Sequence, residues 1–253
     1  MLFALPAGAA TVRKTGPTAR PPGEIARLIR LGLPVYCGGR HGRDVALTFD
    51  DGPGVYTNLA IRVLRRVHAR ATFFLVGKSI ERFPTLPRRE AGVAAFGDHT
   101  WTHRFLPGLT RSAIHHEIAA TKALVEHTTG RPVWLFRPPY AARSRVVDAE
   151  VRAAGLVDIL WDVDSRDWVP GTVWTQVGKI VVAGLRPGAI VSMHENHGQT
   201  IRALRYVILP AIRRLHLRPV TIPTLLRQDP PTLGELRAGY AGCSTAPRPH
   251  GAG

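Results

Sequence analysis

The run Val45-Ala46-Leu47-Thr48-Phe49-Asp50-Asp51-Gly52-Pro53 decides how this chain is read. Val45 to Phe49 are apolar or β-prone, and the run then stops on two adjacent carboxylates and a Gly-Pro turn. Such a strand presents charge at a rim and does not fill a core with it. Neighbouring carboxylates raise one another's pKa unless a cation stands beside them. The natural resolution is a division of labour, in which one ligates a metal and the other stays free as a general base.

Outward from this run, short apolar stretches alternate with amphipathic ones. Strands are predicted at Val45–Asp51, Ala71–Gly77, Phe96–Thr100, Val133–Arg137, Asp158–Asp164, Ala189–His194 and Arg218–Ile222. Between them, Tyr56, Leu59, Ala60, Val63, Leu64 and Val67 recur at helical spacing. Ser112 can cap a helix carrying Ile114, Ile118, Leu124 and Val125. Val146–Ala154 ends at Gly155, and Thr200 can cap a helix through Ile208. Strand-helix alternation predicts an α/β fold with a parallel sheet and helices outside. A closed or nearly closed barrel competes with an open sheet. Asp50, Asp51, His99, His103, Arg137, the acids from Asp162 to Asp167, and His194 all fall at C-terminal strand ends. That favours a distorted (β/α) barrel of about seven parallel strands, whose strand ends converge on one active face.

The chain divides into an arm at 1–43, a body at 44–228 and a Pro- and Gly-rich tail at 229–253, expected to be extended. One short helix is expected in the arm, at Glu24–Leu31. Met1–Ala10 resembles the end of a secretory signal, with Ala7-Gly8-Ala9 as the cleavage site but no basic leader. Cys37 and Cys243 flank the body. In an exported protein they would join arm to tail; two unpaired thiols are the alternative. Lys+Arg total 34 against 18 Asp+Glu, a net charge of +16 that suits an anionic setting such as a cell wall, or a solubilising coat of arginine. No Lys/Arg block exceeds two residues, so a nucleic-acid partner is not expected. No apolar run approaches 18 residues, so no membrane span is expected either.

Several groups carry chemistry. His99 and His103 lie too far apart on a strand to share an ion. They converge only if the chain coils after His99. With one carboxylate they make a three-ligand set with open positions, as catalytic zinc uses. Arg137-Pro138-Pro139-Tyr140 is a stiff turn in which Tyr140 carries the first free amide, suited to an oxyanion. Arg137 is expected to be buried and so to need an acid. One acid of Asp162 to Asp167 could pair with Arg137 or orient a histidine. His194 ends a buried strand and is suited to protonating a leaving group.

Taken in order, five segments resemble the polysaccharide deacetylases of carbohydrate esterase family 4, the NodB-homology domain. They are residues 48–53 (Thr-Phe-Asp-Asp-Gly-Pro), 99–103 (His-Thr-Trp-Thr-His), 137–140 (Arg-Pro-Pro-Tyr), 164–168 (Asp-Ser-Arg-Asp-Trp) and 190–194 (Ile-Val-Ser-Met-His). The resemblance covers roughly residues 44–226. It implies Asp50 as base and Asp51, His99 and His103 as ligands of a divalent ion, usually Zn2+ and sometimes Co2+ or another. It implies that Arg137 braces the base, Asp167 tunes the base–arginine or histidine network, and His194 is the acid. Tyr140 would hold the oxyanion through its backbone amide, Trp168 would wall the site, and Ile190 and Met193 would line an acetyl pocket. The implied activity is removal of N-acetyl groups from a polysaccharide, peptidoglycan or chitin-like, by a secreted or wall-associated monomer. An O-acetyl (xylan) esterase and a catalytically silent glycan-binding module are the alternatives. Two departures are Glu195-Asn196 after His194, where the family more often has one Asp, and the lack of the usual Gly-His-Glu before His99.

Overall fold

The computed structural model describes residues 20–243; the expected signal remnant, Met1–Ala10, lies outside the described residues. The strands are β1 (Asp44–Gly52), β2 (Ala71–Leu75), β3 (Ala94–Asp98), β4 (Leu135–Phe136), β5 (Val157–Asp158), β6 (Val163–Asp164), β7 (Ile190–His194) and β8 (Arg218–Val220). The helices are α1 (Gly23–Leu31), α2 (Thr57–Arg66), α3 (Gly77–Arg82), α4 (Leu86–Glu90), α5 (Arg111–Thr129), α6 (Arg145–Ala153), α7 (Trp174–Gly184), α8 (Gly198–Ala203), α9 (Leu209–Arg214), α10 (Ile222–Gln228) and α11 (Leu233–Ala238).

Seven strands run in the order β5-β4-β3-β2-β1-β7-β6, and β8 pairs with the start of β1. Every pairing is parallel. β1 is central and buried almost throughout. The two edge strands, β5 and β6, come from the single strand expected at Asp158–Asp164. Residues 159–162 leave one edge of the curled sheet and reach the other. Leu160 N–H donates to Val35 O and Asp162 N–H to Ile190 O, so the arm and this crossing close the gap that no ladder closes.

Strand alternation sorts the core into two faces. Val45, Leu47, Phe49, Val191 and Met193 face the surrounding helices, where Phe49 stacks on Phe73 at 5.1 Å between ring centres. Ala46, Phe74, Leu135 and Ile190 point inward, where α1, α10 and α11 cover them with Ile25, Leu28, Leu225 and Leu236.

The tail departs from expectation. Residues 233–238 form α11, because Thr232 caps Glu235 N–H while the Glu235 carboxylate reaches back to Thr232 N–H. A short 3-10 turn then brings Cys243 to Cys37, and the two form a disulfide with Cα atoms 5.9 Å apart. The helix expected from Thr200 is interrupted by a π segment at Leu204–Ile208. Pro210 offers no N–H to the turn before it, and Leu209 N–H reaches Leu204 O across the wider turn.

Candidate active site

The strand ends do converge. β3 stops at Asp98, and Thr100 (φ 68°) and His103 (φ 56°) turn the chain, so the two imidazole rings lie 4.9 Å apart. Asp51 also has positive φ, at 69°. Its Oδ1 lies 3.2 Å from His103 Nε2 and 3.6 Å from His99 Nε2. One ligand atom from each residue falls within 4.8 Å of the others. His99 Nδ1–H donates to Arg137 O at 2.7 Å, which leaves Nε2 with its lone pair turned to Asp51. Burial is the largest influence on His99 and lowers its pKa against the pull of Asp50 and Asp51, which favours the neutral imidazole that a ligand needs. Asp51 Oδ1 is buried without a hydrogen-bond partner among the described residues. A buried carboxylate oxygen facing two imidazole nitrogens is short of a cation, and the trio fits one divalent ion.

Asp50 sits one residue earlier and faces inward. Its Oδ1 accepts from Arg137 Nη1 at 2.8 Å and its Oδ2 from Ser192 Oγ at 3.2 Å. Arg137 is fully buried. Its Nη1 also meets Thr48 Oγ1 at 2.7 Å, Nε donates to Ile159 O and Nη2 to Leu160 O. The guanidinium lies 4.1 Å over the Phe74 ring. Burial lowers the Arg137 pKa, and Asp50 opposes that.

His194 lies opposite Asp50 in the β1–β7 register. Asp167 accepts its Nδ1–H at 2.7 Å and its backbone N–H at 2.8 Å, so Asp167 orients the histidine while Arg137 takes Asp50. Burial disfavours the His194 charge. The hydrogen bond and charge of Asp167, joined by Asp50 and Asp51, outweigh it and raise the pKa to about 9. Asp167 itself is held lower, because His194 and Thr200 outweigh its burial.

Tyr140 is exposed, with φ 60°, and its ring stands 4.9 Å from that of His103. Among the described residues its backbone N–H has no acceptor. Trp168 is exposed and donates Nε1–H to Asp164. Ile190 and Met193 lie on opposite faces of β7. Met193 points to the outer helices, and Ile190, though inward, starts β7 four residues below His194; both are fully buried.

Sequence reasoning missed the supporting groups. Glu117 accepts Thr102 N–H at 2.7 Å and its hydroxyl at 2.5 Å, and Asp98 Oδ1 accepts Thr100 N–H. Gly77 lies against the Trp101 ring, where no Cβ fits. Glu195 is buried against Gly52, accepts the Thr57 hydroxyl and meets the fully buried Glu90. As two carboxylates they would leave three of their four oxygens without a donor. Burial, then the charge of Glu195, pushes Glu90 well above its usual range, and burial pushes Glu195 up to about 8. Outside the motifs only the Glu195 departure hinted at any of these.

The Polysaccharide deacetylase family model matches residues 38–159. A chitooligosaccharide deacetylase of Azorhizobium caulinodans is 32% identical over 186 residues, 67% of this chain and 88% of that protein. The peptidoglycan-N-acetylglucosamine deacetylase PgdA of Listeria monocytogenes is 37% identical over 162 residues, 63% of this chain but only 34% of that longer protein. Among solved structures, a peptidoglycan N-acetylglucosamine deacetylase superposes with TM-score 0.72 at 26% identity, covering 76% of this chain and 92% of that one.

Proposed function

Because the chain belongs to the polysaccharide deacetylase family, we propose that it removes N-acetyl groups from a wall glycan, peptidoglycan or chitin-like, outside the cell. One observation carries this reading. An orphaned Asp51 Oδ1 facing two imidazole nitrogens shares a rim with an Asp50–Arg137 pair and an Asp167–His194 pair. Asp51, His99 and His103 would hold a divalent ion, with zinc suited to that donor set, which would serve as a Lewis acid for the acetyl carbonyl and the attacking water. Asp50 takes the proton of the attacking water. Arg137 and Ser192 fix its carboxylate while leaving a lone pair on each oxygen. The unpaired Tyr140 N–H donates to the carbonyl oxygen as charge develops there. His194, whose pKa is raised by the hydrogen bond and charge of Asp167, gives its proton to the departing amine.

The Cys37–Cys243 disulfide supports an oxidising, extracellular setting. Among the described residues no helix is long and apolar enough to cross a membrane. The test is a panel of N-acetylated chito-oligomers, peptidoglycan fragments and O-acetylated xylan, with acetate and free amine counted. One amine per acetate is expected from the N-acetylated glycans. Acetate from xylan alone would assign the esterase, and tight glycan binding without acetate from any of them the silent module.

A further inference from the structure

The strongest unassigned feature is a trough on the outside of the barrel, between α2 and the helix that runs from Gly198 to Arg214. Residues 57–70 and 198–218 together contain nine arginines, two histidines and no acidic residue. Their apolar faces pack inward through Leu64, Ile201 and Leu204, which leaves the arginines exposed. Two adjoining cavities, of about 710 and 900 Å³, share Arg205, Val67 and Leu209 in their walls. A third joins them at Tyr206 and reaches Gly198, four residues after His194. The other end is lined by Arg43 and Arg213. No carboxylate lines any of the three. Among the described residues, Arg43, Arg62, Arg66, Arg205 and Arg213 make no ion pair with a carboxylate. Other arginines find acids: Arg27, Arg111, Arg143 and Arg186 do so outside the trough, and Arg218, at its Arg43 end, pairs with Asp44.

Unneutralised arginines repel one another, and a row of them along a groove is stabilised by an anion that runs the groove's length. At 1.5 Å per residue, the helix from Gly198 to Arg213 gives the trough about 22 Å, enough for several repeats of a chain and too much for a lone ion. Guanidinium forks match phosphate oxygens in pairs. The exposed Tyr206 ring, already faced by Arg205, offers an apolar surface to the backbone between charges. We propose that this trough binds a linear phosphodiester polymer of the cell envelope, lying beside the glycan on which the catalytic rim works. The choice of an envelope polymer rests on the function proposed above; the binding itself does not.

The experiment measures binding of purified poly(glycerol phosphate) to the whole chain by titration calorimetry at several salt concentrations. One variant carries Arg62→Gln, Arg66→Gln and Arg205→Gln. A charge-matched control carries Arg30→Gln, Arg131→Gln and Arg237→Gln, all exposed and outside the trough. The trough variant should bind at least about tenfold more weakly. The slope of log affinity against log salt should flatten by about 2, at roughly 0.7 per lost contact. The control should change less than about threefold, and acetate release from a neutral chito-oligomer should be unaffected in both. Should the first variant misfold, Arg43→Gln with Arg213→Gln replaces it. Equal losses in trough and control variants would overturn the site. Wild-type preference for duplex DNA or anionic vesicles over the polymer would overturn the occupant. Loss of activity on all glycans with polymer binding intact would instead strike the proposed function and leave this site standing.

Discussion

Replacing Arg137 by Met tests whether Asp50 is held by a desolvated ion pair. The guanidinium is fully buried and makes four hydrogen bonds to Asp50, Thr48, Ile159 O and Leu160 O. Its removal leaves a carboxylate buried with only Ser192 as donor. Breaking a buried pair from one side costs about 3–5 kcal/mol. For a domain of this size that lowers Tm by roughly 6–20 °C, at about 2–4 °C per kcal/mol. Removing the charge from both sides is much cheaper, because nothing ionised is stranded. In chelator, so that metal binding adds nothing, Arg137→Met, Asp50→Asn and the double variant would be unfolded in guanidinium chloride. The double variant should recover at least about 2 kcal/mol relative to the sum of the singles, a coupling in the range contacting pairs show. Additive losses, or an Arg137→Met cost under about 1 kcal/mol, on the scale of an exposed pair, would refute the reasoning.

Asp50→Asn and His194→Ala should each lower kcat about 10²–10⁴-fold on an N-acetyl substrate, with His194→Ala far milder on an activated ester; equal losses on both substrates would remove His194 as the leaving-group acid. The pH profile should lose its alkaline limb at or below about 9, since the acid must be protonated and a bound cation offsets part of the Asp51 charge that raises it. Asp167→Asn removes the main raising influence, so the limb should move to lower pH; a limb unmoved by that change would rule out the pair. Because the folded-state pKa of His194 lies above its ordinary 6.5, this pair stabilises fully below pH 6.5 and loses its contribution as pH rises through about 9, readable as a Tm that falls over that window. Cys37→Ala with Cys243→Ala opens a loop spanning 206 residues and should cost about 5 kcal/mol by loop entropy while leaving kcat on small substrates unchanged; unchanged Tm would contradict the covalent link between arm and tail.

The fold was legible wherever chemistry and periodicity coincided. β1 announced itself because an apolar run ends on Asp50 and Asp51, and six of the seven expected strands fall within a few residues of observed ones. The seventh failed for a physical reason. Residues 158–164 carry strand composition at both ends, yet the middle must cross between sheet edges, and composition does not record which edge a residue joins. The tail was misread because Pro and Gly counts were weighed above the Thr232–Glu235 capping box, a local signal present in the sequence. At the site, motif residues were legible because each pairs an unusual side chain with a strand end. Ile190 and Met193 were assigned to the site from family resemblance, and strand alternation argued against Met193 from the start: two residues apart share a face, so Ser192 joins His194's face and Met193 does not. Glu90, Glu117 and Thr200 are ordinary helix residues in sequence; only tertiary packing brings them to the loops they hold.

In the proposed function, one divalent ion on Asp51, His99 and His103 is required for hydrolysis of an acetyl amide by the residues around it. Its most direct test strips the protein with chelator, verifies the loss by elemental analysis, and titrates zinc back while acetate release from an N-acetylated oligomer is followed. No turnover is expected in the stripped protein, then a linear rise that breaks at one equivalent, with Asp51→Ala failing to recover at that stoichiometry. Full acetate release from metal-free protein, or no release at full occupancy, would contradict it.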